Sequence, residues 1–179
     1  MPEEPTVAGP TEADLHAVGE QLGREPRGVR RVAHRCPCGA PDVVETLPRL
    51  PDGTPFPTVF YLTCPRAAGA IGTLEAGGMM REMSQRILED DGLRSAYGTA
   101  HQRYLAAREA IDEVPQIAGI SAGGMPDRVK CLHVLVAQSL AQGPGVNPLG
   151  DEALAALPEW WRRGACTAKP GASDPGSGR

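Results

Sequence analysis

Lysine is scarce in this chain. Lys130 and Lys169 are the two among 179 residues, and arginine supplies the rest of the 18 basic side chains. Together with abundant Ala, Gly and Pro, that bias follows from high genomic GC content, so counting arginines carries no functional weight. Aromatic residues make up 4 %, which leaves the core to Leu, Val, Ile, Ala and Met. Basic net charge is lacking too. The formal charge is −4, whereas non-specific nucleic-acid binding needs a basic surface to replace phosphate counterions. Nucleic acid is therefore excluded as a partner. No apolar run approaches the ~20 residues that span a bilayer. The first ten residues, MPEEPTVAGP, offer neither the basic nor the apolar segment of a signal peptide. The expected location is the cytoplasm, with no membrane partner. There the five cysteines, Cys36, Cys38, Cys64, Cys131 and Cys166, stay reduced. That leaves metal binding, thiol chemistry or plain burial rather than disulfides.

What is present reads as one domain. Residues 1–10 are expected to form a disordered arm, 11–163 a single globular domain, and the Gly/Pro/Ser-rich 164–179 a disordered tail. Thr11 followed by Asp14 predicts a helix start, with Leu15, Val18 and Leu22 as its apolar stripe and Gly23 as its stop. Strands are expected over 29–36, 42–47 and 58–63, the last reading TVFYLT. Residues 117–120 are a short fourth candidate. Two prolines and a glycine within 36–41 force a tight turn between the first two strands. Helical patterns follow from Pro65 to Glu75, from Met79 to Leu88, and along the stripe Leu93 to Ile111. His16 and His101 fall on exposed helix faces. An apolar helix near 127–141 should be buried on most sides, because Val129, Leu132, Val134, Leu135, Val136 and Leu140 cover nearly all its faces. A short helix over 151–157 precedes Trp160 and Trp161, which are expected to dock the C-terminus. The class is α+β: a small three- or four-stranded sheet packed against a helix-rich remainder.

Several phrases then carry a resemblance. They are Cys36-Pro37-Cys38-Gly39-Ala40-Pro41, Phe56-Pro57-Thr58 leading to Leu62-Thr63-Cys64-Pro65, Leu74-Glu75 before Gly77, and GMPDRVKCLH from Gly124 to His133. Over about residues 25–161 the chain resembles an uncharacterised bacterial family, the domain of unknown function 501. The resemblance implies that Cys36, Cys64 and the pair Cys131 and His133 belong to the family pattern, while the position of Cys38 can hold an aromatic residue. It brings no activity with it.

Three readings of the chemistry follow. The first is a metal site. Cys36 and Cys64 each end a predicted strand just before a proline, and Cys131 comes from the buried helix. Thiolates and imidazole are zinc ligands, and thiolates alone hold an iron–sulfur cluster. Helical geometry turns Cys131 and His133 apart, since two residues rotate by about 200°. The expected set is therefore Cys36, Cys64 and Cys131, with Cys38 or an outside group as fourth ligand and His133 set aside. Inert burial is the alternative, because free cysteine is among the most buried residue types. The second reading is a small anionic or phosphorylated ligand at Ser121, Gly123 and Gly124, where a helix N-terminus with Arg128 and Lys130 would attract it. The third makes Cys131 or Cys64 a nucleophile with His133 or His34 as base, against which the helical geometry stands. A non-catalytic protein with a protein partner and merely buried thiols completes the alternatives. Cys166, in the tail, is expected to have no structural role.

Overall fold

Helix α1, Glu12–Leu22, starts at the expected place. Thr11 Oγ1 accepts the N–H of Asp14, and the Asp14 carboxylate accepts the N–H of Thr11, each at 3.1 Å. Gly23 ends it in the left-handed conformation. The computed structural model describes residues 8–167, apart from the side chain of Arg163. The expected arm at 1–7 and tail at 168–179 lie outside the described residues.

Three strands follow: β1 Val29–Arg35, β2 Pro41–Thr46 and β3 Phe60–Leu62. They form an antiparallel sheet in the order β1-β2-β3, with register shifts along β1. All six residues of the central β2 are buried, as a strand covered on both faces requires. The fourth strand is not formed. Pro115–Ile117 is a 3-10 turn instead, with the N–H of Ile117 on the carbonyl of Val114, and Gly119 has φ 72°. An extended segment cannot pass through that conformation.

Helices α2 Pro65–Ala76, α3 Met79–Glu89 and α4 Asp91–Glu109 match the sequence pattern. Then come α5 Leu132–Gln142 and α6 Pro148–Ala156. The protein is thus α+β, and no helix among the described residues is long and apolar enough to cross a membrane. The core gathers around α5, where Leu132, Leu135, Val136 and Ala137 are fully buried against Val43, Phe60, Ile71 and Leu149. Gly150 brings α6 against α5; a Cβ there would collide with the Leu135 carbonyl. The scarce aromatics hold central places. Tyr104 meets Phe60 edge-to-face and its hydroxyl accepts the N–H of Val59 at 3.0 Å.

The buried helix begins at Leu132, not near residue 127. Its expected first turn is spent on other partners. The N–H of Val129 goes to Ser84 Oγ at 3.0 Å, that of Lys130 to the Gly123 carbonyl at 2.7 Å, and that of Leu132 to Glu75 Oε1 at 2.8 Å. Cys131 is the residue before the helix, in an extended conformation.

Candidate metal centre

Because β1 and β3 both run antiparallel to β2, they point the same way and their C-terminal ends share one end of the sheet. The two strands are not neighbours, yet the chain leaves both at that end through a cysteine. After β1 comes the turn Cys36–Gly39, closed by the N–H of Gly39 on the Cys36 carbonyl at 2.8 Å and by the N–H of Cys36 on the Ala40 carbonyl at 3.0 Å. Gly39 supplies the φ of 90° that the turn demands. After β3, Cys64 caps α2, its sulfur accepting the N–H of Ala67 at 3.5 Å.

A third chain segment reaches the same place. Beyond the buried Trp160, Gly164–Thr167 folds back over the sheet end. Gln21 Nε2 donates to the carbonyls of Pro41 at 2.7 Å and Cys166 at 3.3 Å, and Arg66 Nε donates to that of Ala165 at 3.1 Å. Cys166 is fully buried and its sulfur lies 3.4 Å from that of Cys36. The expectation that Cys166 plays no structural part is corrected here. The sulfurs of Cys36, Cys38 and Cys166 all lie within 4.8 Å of one another. Cys64, also fully buried, packs with Cys36, Ala67, Trp160 and Cys166, and its thiol neighbours that of Cys166, but its sulfur is not among the three that lie within 4.8 Å of one another. None of the five cysteines is in a disulfide.

The electrostatics of this cluster are those of crowded thiols. Burial pushes the Cys36 thiol up, opposed by the backbone N–H of Cys38. Burial also pushes Cys166 up, and the thiols of Cys36, Cys38 and Cys64 add to it. The exposed Cys38 goes the other way: burial raises it, but the backbone N–H of Ala40 and the thiols of Cys36 and Cys166 outweigh burial, and the net shift is downward. Thiols this close cannot all ionise unless a cation joins them.

The expected set of Cys36, Cys64 and Cys131 is not assembled. Cys131 belongs to a different group, whose donor atoms are those of Glu75, Cys131 and His133, again within 4.8 Å of one another. The physical reason is the late start of α5. Without a helical turn between them, Cys131 and His133 do not face apart, and their Sγ and Nδ1 are 3.8 Å from each other. Glu75, on the last turn of α2, holds Leu132 by its N–H and sits 3.1 Å from His133 Nδ1. Burial pushes the Cys131 thiol up, but the His133 imidazole and the backbone N–H groups of Val134 and His133 together outweigh it, and the net shift is downward. His133 is pushed up to about 9, first by that thiol and then, against desolvation, by Glu75.

The loop of Ser121, Gly123 and Gly124 has lost the helix N-terminus that motivated an anion site. Ser121 is buried and bonded to His101 Nδ1 at 2.8 Å, and His101 is itself buried rather than on an exposed face. Gly123 packs on α5, where a Cβ would press on Leu135, while Arg128 and Lys130 project to solvent. Two site residues escaped the sequence reading. Glu75 stood in the quoted Leu74-Glu75 phrase but looked like an ordinary helix position. Cys166 follows a tryptophan pair by a few residues, a sign that the chain had not yet left the fold.

A family model described as protein of unknown function, DUF501, matches residues 32–155. The chain belongs to this family. No curated protein and no solved structure matches it. The family region includes Cys36, Cys38 and Cys64 together with Glu75, Cys131 and His133, and it stops before Cys166. The thiol that completes the sheet-end cluster thus comes from outside the region that the family model describes.

Proposed function

We propose that the protein binds a structural zinc ion through Cys36, Cys38 and Cys166, with Cys64 as fourth ligand, and that the ion fastens the C-terminal segment to the end of the sheet. The observation that carries this reading is the meeting of three thiols within 4.8 Å of one another, without a disulfide. Two sulfurs bound tetrahedrally to one zinc at ~2.3 Å lie about 3.8 Å apart, near the 3.4 Å between Cys36 and Cys166. In a four-iron cluster each thiolate binds a different iron, which holds the sulfurs wider apart, so the spacing favours a single ion. Backbone N–H groups directed at Cys36 and Cys38 favour their thiolates. Four thiolates leave no open position, which makes the role structural rather than catalytic.

Elemental analysis of purified protein tests this. Wild type should contain one equivalent of zinc more than Cys166→Ser. Equal zinc in the two proteins, both folded, would reject the centre.

A further inference from the structure

The second donor group goes beyond that reading and is independent of it. We infer that Glu75, Cys131 and His133 hold a second divalent cation, with zinc as the fitting ion, and leave one coordination position open to a neighbouring cleft, where bound water hydrolyses an uncharged ester or amide.

The geometry of the His133 ring carries the metal assignment. Its Nε2 lies 3.2 Å from the Ala68 carbonyl and donates to it, so a cation entering between thiolate and carboxylate displaces the proton on Nδ1 and takes up that lone pair. A metal-bound histidine is typically fixed in this way, with its second nitrogen donating to a carbonyl. The Cys131 sulfur and the Glu75 carboxylate both approach that same Nδ1, at 3.8 and 3.1 Å. In a nucleophile–histidine–carboxylate triad the acid would bond the ring nitrogen opposite the nucleophile. Here thiolate, imidazole nitrogen and carboxylate converge on one point, which is the arrangement of ligands around a cation. Tetrahedral zinc places sulfur and nitrogen ligands about 3.6 Å apart and nitrogen and oxygen ligands about 3.4 Å apart. The observed separations differ from these by a few tenths of an ångström. Glu75 Oε1 is itself held by the N–H of Leu132, so the carboxylate is positioned before any ion arrives.

The surroundings set the ligand class. Cys131 and His133 open on a cleft of about 550 Å³ whose other walls include Phe60, Tyr61, Leu62, Thr63 and Val134. Among the described residues, no lysine, arginine or acidic side chain lines it. Such a wall discriminates against phosphorylated or charged substrates and accepts an apolar acyl group. Three protein ligands with a solvent position are the mark of a catalytic rather than a structural zinc. The reaction adds the oxygen of metal-bound hydroxide to the carbonyl carbon. The bond to the alcohol or amine then breaks, and the leaving group departs with the proton released from the water.

Three measurements test this. Single variants Glu75→Gln and His133→Ala should each lose one equivalent of zinc, while Cys166→Ser loses the other. Glutamine keeps the acceptor for Leu132, so that variant separates metal loss from misfolding. In cobalt-substituted wild type, acetohydroxamate should change the visible spectrum, because the open position takes it up; a site of four thiolates does not respond. Hydrolysis of p-nitrophenyl acetate should fall at least about tenfold in His133→Ala. Unchanged metal content in folded Glu75→Gln and His133→Ala overturns the second ion. A cobalt spectrum indifferent to hydroxamate overturns the open position, and an unchanged ester rate overturns the chemistry. Zinc loss in His133→Ala with none in Cys166→Ser would sink the sheet-end centre and leave this one standing.

Discussion

Cys36 and Cys166 bring their sulfurs to 3.4 Å across 130 positions of sequence. One follows the first strand and the other lies at the far end of the described chain, so whatever joins them ties the C-terminal segment to the sheet. An ion that binds only the folded chain stabilises it by an amount that grows with the logarithm of free ion over its dissociation constant, about 4 kcal/mol at a thousandfold excess. A strong chelator should therefore lower the melting temperature of the wild type. Cys166→Ser should start lower and respond less to the same chelator, which differential scanning calorimetry can read. An identical chelator response in the two proteins would contradict the role given to Cys166.

Acid stability should depend on Asp14 and Arg35. The Arg35 guanidinium bonds both oxygens of Asp14, at 2.8 and 2.9 Å, and joins α1 to the end of β1. That bond, ahead of the capping contacts with Thr11 and against burial, lowers the Asp14 carboxyl from 3.8 to about 2. A carboxyl depressed by folding stabilises the native state above its unfolded value, and the gain is lost as pH falls through the folded one. The contribution should be complete above pH 4 and disappear toward pH 2. Asp14→Asn should flatten the stability curve in that window, as followed by urea titrations at successive pH values. An unchanged slope would place the acid sensitivity elsewhere.

Arg108 should be among the costliest single positions. It is 2 % exposed and donates to the carbonyls of Pro57 at 3.1 Å, Ile120 at 2.5 Å and Ile117 at 2.7 Å. It thereby pins the turn after α4 to the segment before β3. Burial pushes its pKa down, opposed by Tyr104 and Glu109. Arg108→Met strands these acceptors, at about 1–3 kcal/mol for each buried one. A total loss of about 3 kcal/mol or more is expected in urea unfolding, and a loss below about 1 kcal/mol would mean that solvent replaces the guanidinium.

The parts of this fold that sequence reading reached are those decided locally. Thr11 and Asp14 fix the start of α1 through their own side chains, and Gly23 fixes its end. The turn of Cys36–Gly39 and the cap at Cys64 lie within a few residues of their causes. The start of α5 does not. Val129 to Leu135 reads as part of one apolar helix begun near residue 127, yet the N–H groups of Val129 and Leu132 go to Ser84 and Glu75, 45 and 57 positions away. That one displaced boundary misled the chemistry as well. It turned Cys131 and His133 to opposite faces on paper, whereas the extended Cys131 meets the imidazole in space. Cys166 was hidden for a related reason, since a Gly/Pro-rich context resembles a free tail until the contacts of Gln21 and Arg66 are seen.

The central claim is that four cysteines, one of them beyond the family region, enclose a single zinc ion. Native mass spectrometry of wild type and Cys166→Ser, recorded side by side, tests it most directly. The account predicts one zinc fewer in the variant, with the folded charge-state distribution retained by the wild type and shifted toward unfolding in the variant. A wild-type protein that is folded with no zinc, or a folded variant that keeps the same number of ions, would contradict it.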